Sequence, residues 1–144
     1  MFSKACEYGI RASIYIAQQS LADAKVGLKE VAKAIDSPEA YTSKILQQLT
    51  RSQIINSEKG PTGGFMMDAS QLRTTQLSAI VLVLDGDRIY KGCGLGLRAC
   101  NAVLPCPMHK QFAAIREDLK TMLESTSIQS LAMELDEGLT FLKR

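Results

Sequence analysis

Three cysteines occur in one short segment rich in glycine and proline, and the only histidine of the chain follows the last of them. These residues are Cys93, Cys100, Cys106 and His109. Thiolate and imidazole are ligands for zinc and for iron–sulfur clusters, and a flexible loop lets them converge on one centre. The pattern therefore predicts a metal or iron–sulfur site. Zinc stays an open alternative, because three cysteines and one histidine form a structural zinc set.

Composition limits the class of protein to which the chain can belong. The chain has 144 residues and a formal net charge of +2, so we expect one domain, or one domain with a helical extension, and charge alone gives little support for nucleic-acid binding. No apolar run is long enough to span a bilayer, and Glu7 and Arg11 interrupt the first segment, unlike a signal peptide. We expect a cytoplasmic protein, in which clustered cysteines are more often ligands or redox thiols than disulfides.

The remaining polar residues do not indicate an enzyme. With a single histidine beside the cysteines, none is available to activate a nucleophile, and no pair of carboxylates stands out for acid–base work. The fourth cysteine, Cys6, lies beside Ala5 in the first predicted helix, where we interpret it as a small buried side chain.

Apolar periodicity divides the chain into helices and one hairpin. The predicted elements are helices over 3–20, 28–35, 40–52, 76–84, 108–125 and 128–134, and strands over 54–57 and 65–67. In the third helix we expect Ser37 as N-cap, Pro38 at the first position and an apolar stripe of Tyr41, Ile45 and Leu49. Three short helices followed by a hairpin predict a mainly α fold with a small β-hairpin, namely a winged helix-turn-helix domain.

The third predicted helix is the second helix of that motif, which enters the major groove of DNA. Its polar face carries cations and amides without an acid, namely Ser43, Lys44, Gln47, Gln48 and Arg51. Gln suits adenine edges, and Arg or Lys suits guanine or phosphate. This helix alone fits a solvated surface equally well, but the adjoining glycine-rich wing, with Lys59 and Gly60, favours DNA.

Several motifs in a fixed order identify a known family. They are Tyr41-x-x-Lys44-Ile45-Leu46-x-x-Leu49, Lys59-Gly60-Pro61-x-Gly63-Gly64-Phe65, the cysteine loop, and Cys106-Pro107-Met108-His109. In these motifs the chain resembles the IscR/NsrR family of bacterial winged-helix transcription regulators, also called the Rrf-two family. The resemblance extends from about residue 8 to residue 132. Any single motif would be weak evidence, whereas their shared order makes the resemblance specific.

The resemblance implies a homodimer that binds a partly palindromic operator in double-stranded DNA, with the long helix over 108–125 crossing its twin. The apolar stripe of that helix agrees, although a stripe alone more often packs within its own chain; its residues are Phe112, Ile115, Leu119, Met122 and Leu123. The implied organisation is a DNA-binding domain over 1–85, a cluster loop over 86–107, and a dimerisation helix with a tail over 108–144.

The resemblance also implies an iron–sulfur cluster, 2Fe-2S or 4Fe-4S, because many members hold one through three cysteines that match Cys93, Cys100 and Cys106. The fourth ligand would be His109 or Glu7 of the partner subunit. The spacing Cys-x6-Cys-x5-Cys is one residue longer in its first gap than in some members, which leaves the cluster type open. Lys59 stands where many members have arginine, so the wing keeps a phosphate-binding cation but loses the bidentate fork.

Three functions follow as hypotheses. The first is a redox-sensing or cluster-sensing repressor or activator, and the second is a thiol-redox or zinc-holding regulator on the same scaffold. The third is an iron–sulfur carrier, which the recognition helix and the wing disfavour because a carrier needs neither.

Overall fold

The structure, a computed structural model, describes residues 1–144 and consists of helices with one small hairpin. In chain order the elements are α1 (Lys4–Leu21), α2 (Leu28–Ile35), α3 (Glu39–Arg51), β1 (Asn56–Glu58), β2 (Gly64–Met66), α4 (Ala69–Thr74), α5 (Leu77–Asp85), α6 (Arg88–Lys91), α7 (His109–Ser125) and α8 (Ile128–Asp136). The predicted fold class, mainly α with an antiparallel hairpin, is confirmed. None of these helices has both the length and the apolar composition needed to cross a bilayer.

The hydrophobic core is built around α1, on which α2, α3, α5 and α8 pack. Ala12 and Ile16 of α1 are fully buried. Leu123 of α7, with Ile128 and Ala132 of α8, belongs to the same buried cluster. Burial of each large aliphatic side chain contributes about 1.5–3 kcal/mol. The C-terminal helices therefore share one core with the helices that precede the hairpin.

The third helix begins differently from the prediction. Its N-cap is Pro38, so the predicted N-cap at Ser37 is wrong. The Ser37 hydroxyl lies 2.5 Å from Oγ1 of Thr42, and the Thr42 hydroxyl donates to the Pro38 carbonyl at 2.8 Å. Because Ser37 is engaged with the buried Thr42, its side chain is not free to cap the first turn.

Tyr41, predicted in the apolar stripe of α3, lies at the edge of the core instead. Its side chain is 37% exposed, and its ring packs edge to face against Tyr8 of α1, with 5.6 Å between centroids. Arg11 stacks on Tyr8, its guanidinium carbon 4.9 Å from the ring centroid. This aromatic contact near the surface replaces full burial, whereas Ile45 and Leu49 are buried as predicted.

The hairpin is displaced from its predicted position. The first strand was predicted over 54–57 and begins two residues later, at Asn56. The second was predicted over 65–67 and begins one residue earlier, at Gly64. Ile54 and Ile55 are buried but belong to the turn after α3, because both of their N–H groups donate to the Leu49 carbonyl, at 3.0 and 3.5 Å. These two residues are apolar because both pack in the core, not because they belong to a strand with alternating buried and exposed residues.

The sequence did not predict the short helices α4 and α6. A capping box starts α4: the Gln71 N–H donates to the Asp68 carboxylate, and the Asp68 N–H donates to the Gln71 side-chain oxygen, both at 2.8 Å. Such a reciprocal pair satisfies two donors at the helix start. The limits of the other predicted helices agree with the structure to within two residues.

Two backbone hydrogen bonds connect the start of α5 to the linker between α7 and α8. The Leu77 N–H donates to the Thr126 carbonyl and the Ile128 N–H donates to the Thr75 carbonyl, each at 3.0 Å. One linker precedes α5 and the other follows α7, so the two bonds fix the end of α7 relative to the start of α5.

The wing is anchored to the linker between α1 and α2. The Val26 N–H donates to the Phe65 carbonyl at 3.1 Å, and the Phe65 N–H donates to the Val26 carbonyl at 2.7 Å. Gly64 has φ of +141°, and a Cβ there would lie 2.8 Å from the Val26 oxygen. Only glycine allows this close approach of two backbones.

Replacing Gly64 by alanine should weaken the wing, because the added methyl group must displace the Val26 backbone. We expect Gly64→Ala to lower the free energy of unfolding by about 2–3 kcal/mol, measured by urea denaturation. Gly60→Ala is the matched control, since Gly60 also has a positive φ of +99° but a Cβ there meets nothing within 4 Å. Equal losses in the two variants would contradict the close approach as the cause.

Candidate nucleic-acid interface and cysteine loop

The exposed face of α3 presents the side chains predicted to contact DNA. Lys44, Gln47, Gln48 and Arg51 are exposed, and Ser43 is half-buried. The apolar residues of the helix face the core, so these polar residues point away from it. The three salt bridges of the chain involve other residues, and the cations of this face are therefore free to meet an anion.

A groove with a volume of about 430 Å³ lies between α3 and the wing. The residues that line it are Ser43, Gln47, Thr50, Arg51, Ser57 and Phe65. The Thr50 hydroxyl donates to the Leu46 carbonyl at 2.7 Å, so it is engaged within the helix. Gln47, Arg51 and Ser57 supply the kinds of donor that bind phosphates and base edges.

The wing carries its predicted DNA-binding residues at an exposed tip. Lys59 and Gly60 are exposed, and the Gly63 N–H donates to the Gly60 carbonyl at 3.0 Å to close the turn. Glu58 forms an ion pair with Lys25 at the base of the wing. Because Lys25 neutralises the neighbouring Glu58, Lys59 is left as a free cation.

Gln71 joins the turn after α3 to the wing. Its side-chain amide donates to the Gln53 carbonyl at 2.9 Å and to Oδ1 of Asn56 at 3.0 Å. Gln53 lies in the turn after α3, and Asn56 begins β1. This amide thus fixes the relative position of the two predicted DNA-binding elements.

One end of α7 contacts the second cysteine of the loop. Sγ of Cys100 lies 3.3 Å from Nδ1 of His109, and Nη2 of Arg116 donates to the same sulfur at 3.0 Å. Nη1 of Arg116 donates to the Gly92 carbonyl at 3.0 Å. His109 and Arg116 are seven residues apart, so they lie on one face of the helix.

The first cysteine lies in a turn whose N–H groups point at its sulfur. Hydrogen bonds from the N–H groups of Leu95 and Leu97 lower the pKa of the Cys93 thiol below its ordinary value, and a hydrogen bond with the Cys106 thiol acts in the same direction. These contacts favour the thiolate, which is the form that binds metal ions.

The predicted ligands thus lie in two pairs, Cys100 with His109 and Cys93 with Cys106. All the cysteines are free thiols, and no three of the chain's His, Cys, Asp and Glu side chains converge on one point. The chemistry of this donor set fits an iron–sulfur cluster or zinc. Binding one centre through all four residues requires the two pairs to move together.

The thiol of Cys6 and the carboxylate of Glu7, both on α1, form no hydrogen bond with the cysteines of the loop. Cys6 is fully buried as predicted, and burial together with the nearby Asp85 carboxylate raises its pKa to about 12. Glu7, the other predicted fourth ligand, accepts a hydrogen bond from Lys4 at 3.2 Å. Within one chain Glu7 is therefore paired with a lysine of its own helix.

The predicted apolar stripe of α7 is divided between two faces. Phe112 covers the cysteine loop, since a Cβ on Gly94 would lie 2.5 Å from its ring, and Leu123 is fully buried in the core. Ile115 and Met122 are 60% and 47% exposed. Ile115 and Met122 thus form an exposed apolar strip on α7, about 100° around the helix from the side of His109 and Arg116, which contacts the loop.

Sequence reasoning missed Gln71 and Arg116. The segment from Asp68 to Gln71 has capping-box spacing, so this pattern was a usable signal for α4. Arg116 lies seven residues after His109 in the helix predicted over 108–125, but its contacts with Gly92 and Cys100 depend on how the loop folds against that helix.

The sequence model of the Rrf2 family, described as an iron-dependent transcriptional regulator, matches residues 2–134. This chain belongs to the Rrf2 family. Members are transcriptional regulators, which confirms the prediction of a regulator rather than an enzyme.

Relatives of this Rrf2-family protein agree with the assignment. A protein of Aquifex aeolicus named as an HTH-type transcriptional regulator is 27% identical over 133 residues, covering 91% of this chain and 90% of that protein. BadM of Rhodopseudomonas palustris, also named as an HTH-type regulator, is 29% identical over 117 residues, covering 79% of this chain and 70% of BadM.

Solved structures confirm the winged-helix fold. CymR, the global cysteine regulator of B. subtilis, is 21% identical with a TM-score of 0.74, covering 92% of this chain and 96% of CymR. IscR of T. potens is 20% identical with a TM-score of 0.73, covering 97% of this chain and 91% of IscR.

Proposed function

We propose that this regulator binds operator DNA as a homodimer, and that an iron–sulfur cluster held by Cys93, Cys100 and Cys106 modulates its affinity for DNA. In this proposal residues 1–85 bind DNA, residues 86–107 hold the cluster and residues 108–144 form the dimer. The observation that carries the proposal is a free cationic face on α3 beside the wing, in a chain whose α7 contacts the cysteine loop. The description of the family as iron-dependent supports the metal.

The DNA contacts follow from the positions of the free donors. With α3 in the major groove, Gln47 and Gln48 reach base edges, and Lys44 and Arg51 reach guanine or phosphate. Lys59 and Gly60, at the wing tip, meet the adjacent phosphate backbone. Because the formal net charge is only +2, attraction to DNA depends on these local cations rather than on the whole chain.

Removing a cation of α3 should weaken DNA binding. We expect Lys44→Ala and Arg51→Ala each to cost about 1–3 kcal/mol of binding free energy, and the salt slope to fall by about one unit where the lost contact is to phosphate. Fluorescence anisotropy at several salt concentrations, on an operator selected from random DNA, measures both quantities.

The control for this experiment is Lys120→Ala, which removes the same charge from an exposed position on α7. If both α3 variants bind DNA like Lys120→Ala, α3 is not the recognition helix.

The loop residues prepare the sulfurs for a cluster. The N–H groups around Cys93 favour its thiolate, Arg116 donates to Cys100, and Phe112 covers the loop at Gly94. When bound, an iron–sulfur cluster supplies a centre whose charge changes with its oxidation state and whose presence depends on supply and on oxidants.

His109 is the preferred fourth ligand. Its ring lies 3.3 Å from the Cys100 sulfur at the start of α7, so it belongs to the same site within one chain. Glu7 is already paired with Lys4, and a carboxylate oxygen is a harder ligand than iron–sulfur sites usually take.

Single alanine substitutions test the ligand set. After anaerobic reconstitution, Cys93→Ala, Cys100→Ala and Cys106→Ala should lose the visible absorption of the cluster, because each removes a thiolate. His109→Ala should change the spectrum. The matched control is Cys6→Ala, which removes a cysteine buried outside the loop and should leave the spectrum unchanged.

Two results would change the assignment. Full cluster retention in all three loop variants would refute the cluster site. A spectrum altered by Glu7→Ala but not by His109→Ala would instead assign the fourth ligand to Glu7 of the partner subunit.

A thiol-redox regulator is the second candidate, and one observation favours it. The Cys106 thiol is among the groups that lower the pKa of Cys93, so the two thiols lie near one another, as formation of a disulfide requires. Zinc on the same four residues is the related possibility. A colourless reconstituted protein with a Cys93–Cys106 disulfide, found by peptide mass mapping after oxidation, would support the thiol switch, and bound zinc would support the zinc site.

The dimer is proposed to form through the exposed apolar strip of α7. Ile115 and Met122 are exposed there. They lie on the same side of the helix, two turns apart, and a second copy of the helix would bury both. Two-fold symmetry would then place the two α3 helices about one turn of DNA apart.

A charge on this face should prevent association. We expect Ile115→Asp to convert the dimer to monomers in light-scattering chromatography, because a carboxylate would be buried without a partner. Ile115 is exposed in the single chain, so the substitution should not disturb folding. Thr121→Asp, on the polar side of α7, is the control and should remain dimeric; a dimeric Ile115→Asp would rule out this face as the interface.

A further inference from the structure

Arg116 of α7 contacts the cysteine loop at two separate points. One guanidinium nitrogen donates to the Gly92 carbonyl and the other to the Cys100 sulfur, both at 3.0 Å. Gly92 directly precedes Cys93, so a single side chain holds the segment of the first cysteine beside the second. A planar guanidinium can make both contacts from one fixed geometry, which a lysine ammonium cannot.

The charge of Arg116 is directed at the loop. None of the three salt bridges of the chain involves this residue, and its side chain is half-buried. Hydrogen bonds from a charged donor are stronger than those between neutral groups. The Cys100 sulfur therefore has both the Arg116 cation and the imidazole of His109 within hydrogen-bonding distance.

Arg116 also connects two otherwise separate pairs of predicted ligands. The Cys106 thiol is near enough to Cys93 to help lower its pKa, and Cys100 lies beside His109. The guanidinium of Arg116 contacts both pairs. It reaches the first pair through the carbonyl of Gly92, next to Cys93, and the second pair through the sulfur of Cys100. Loss of this side chain leaves the two halves of the loop without that common contact.

We propose that Arg116 is the positioning residue of the cysteine site: it holds the two ligand pairs together and sets the reduction potential of a centre bound there. The proposal rests on the proposed function and deepens it. A nearby cation and a hydrogen bond to sulfur stabilise the more negative, reduced form of a cluster. Neutralising Arg116 therefore shifts the midpoint potential to more negative values.

The first measurement uses the metal-free full-length chain. In Arg116→Gln and Arg116→Lys, both of which lose the two-point fork, the hydrogen-bonded amides of Gly92 and Gly96 should exchange hydrogen for deuterium about tenfold faster than in wild type. Lys120→Gln, which removes a cation elsewhere on α7, should exchange like wild type. Unchanged exchange in Arg116→Gln overturns the positioning role.

The second measurement separates charge from geometry in the cluster-loaded protein. By spectroelectrochemical titration, Arg116→Gln should have a more negative midpoint potential than wild type. Arg116→Lys, which keeps the charge, should lie closer to wild type, and Lys120→Gln should not shift. An unchanged potential in Arg116→Gln overturns the electrostatic role.

The two measurements also distinguish this proposal from the proposed function. If the wild-type chain takes up no cluster under anaerobic reconstitution, the cluster function fails. The exchange experiment on the metal-free chain still decides whether Arg116 positions the loop.

Discussion

The close packing of α3 and α5 against α1 at Gly9 is the constraint on which the arrangement of the two sites depends. A Cβ at Gly9 would lie 2.1 Å from Cδ1 of Leu84 and 3.3 Å from Cγ2 of Ile45. Because the residue has no side chain, α3 and α5, the helix that leads to the cysteine loop, reach the same point on α1. A larger residue would separate them, since packed interiors have little free volume.

From this contact with α3 and α1, α5 extends to both ends of the segment that contains the cysteine loop and α7. Its last residue, Asp85, accepts a hydrogen bond from the Ser3 N–H at 2.9 Å, which fixes the start of the loop to α1. Its first residue, Leu77, donates to Thr126 beyond the end of α7. The segment from the end of α5 to the end of α7 is therefore held at both ends. Within it, α7 contacts the loop through Arg116.

Local patterns predicted most of the fold because the helices are short, amphipathic and separated by clear breaks. The errors came from tertiary contacts: Ser37 was engaged by Thr42, and Ile54 and Ile55 were apolar for the core rather than for a strand. For the candidate site, the sequence placed all the cysteines of the loop in one segment. It did not reveal how they pair or that Arg116 joins them, because both depend on the register of α7 against the loop.

The division of α7 into a loop-facing side and an open apolar side has a mechanical consequence. The helix is rigid, so His109 and Ile115 cannot turn independently. With side chains the helix has a radius of about 5–6 Å, and a rotation of roughly 20° about its axis displaces a side-chain tip by about 2 Å. Such a displacement on the open side is comparable to the size of a methyl group. In a symmetric dimer both copies of α7 would rotate. A small movement at the sulfurs would therefore displace the side chains of both helices where the two helices touch.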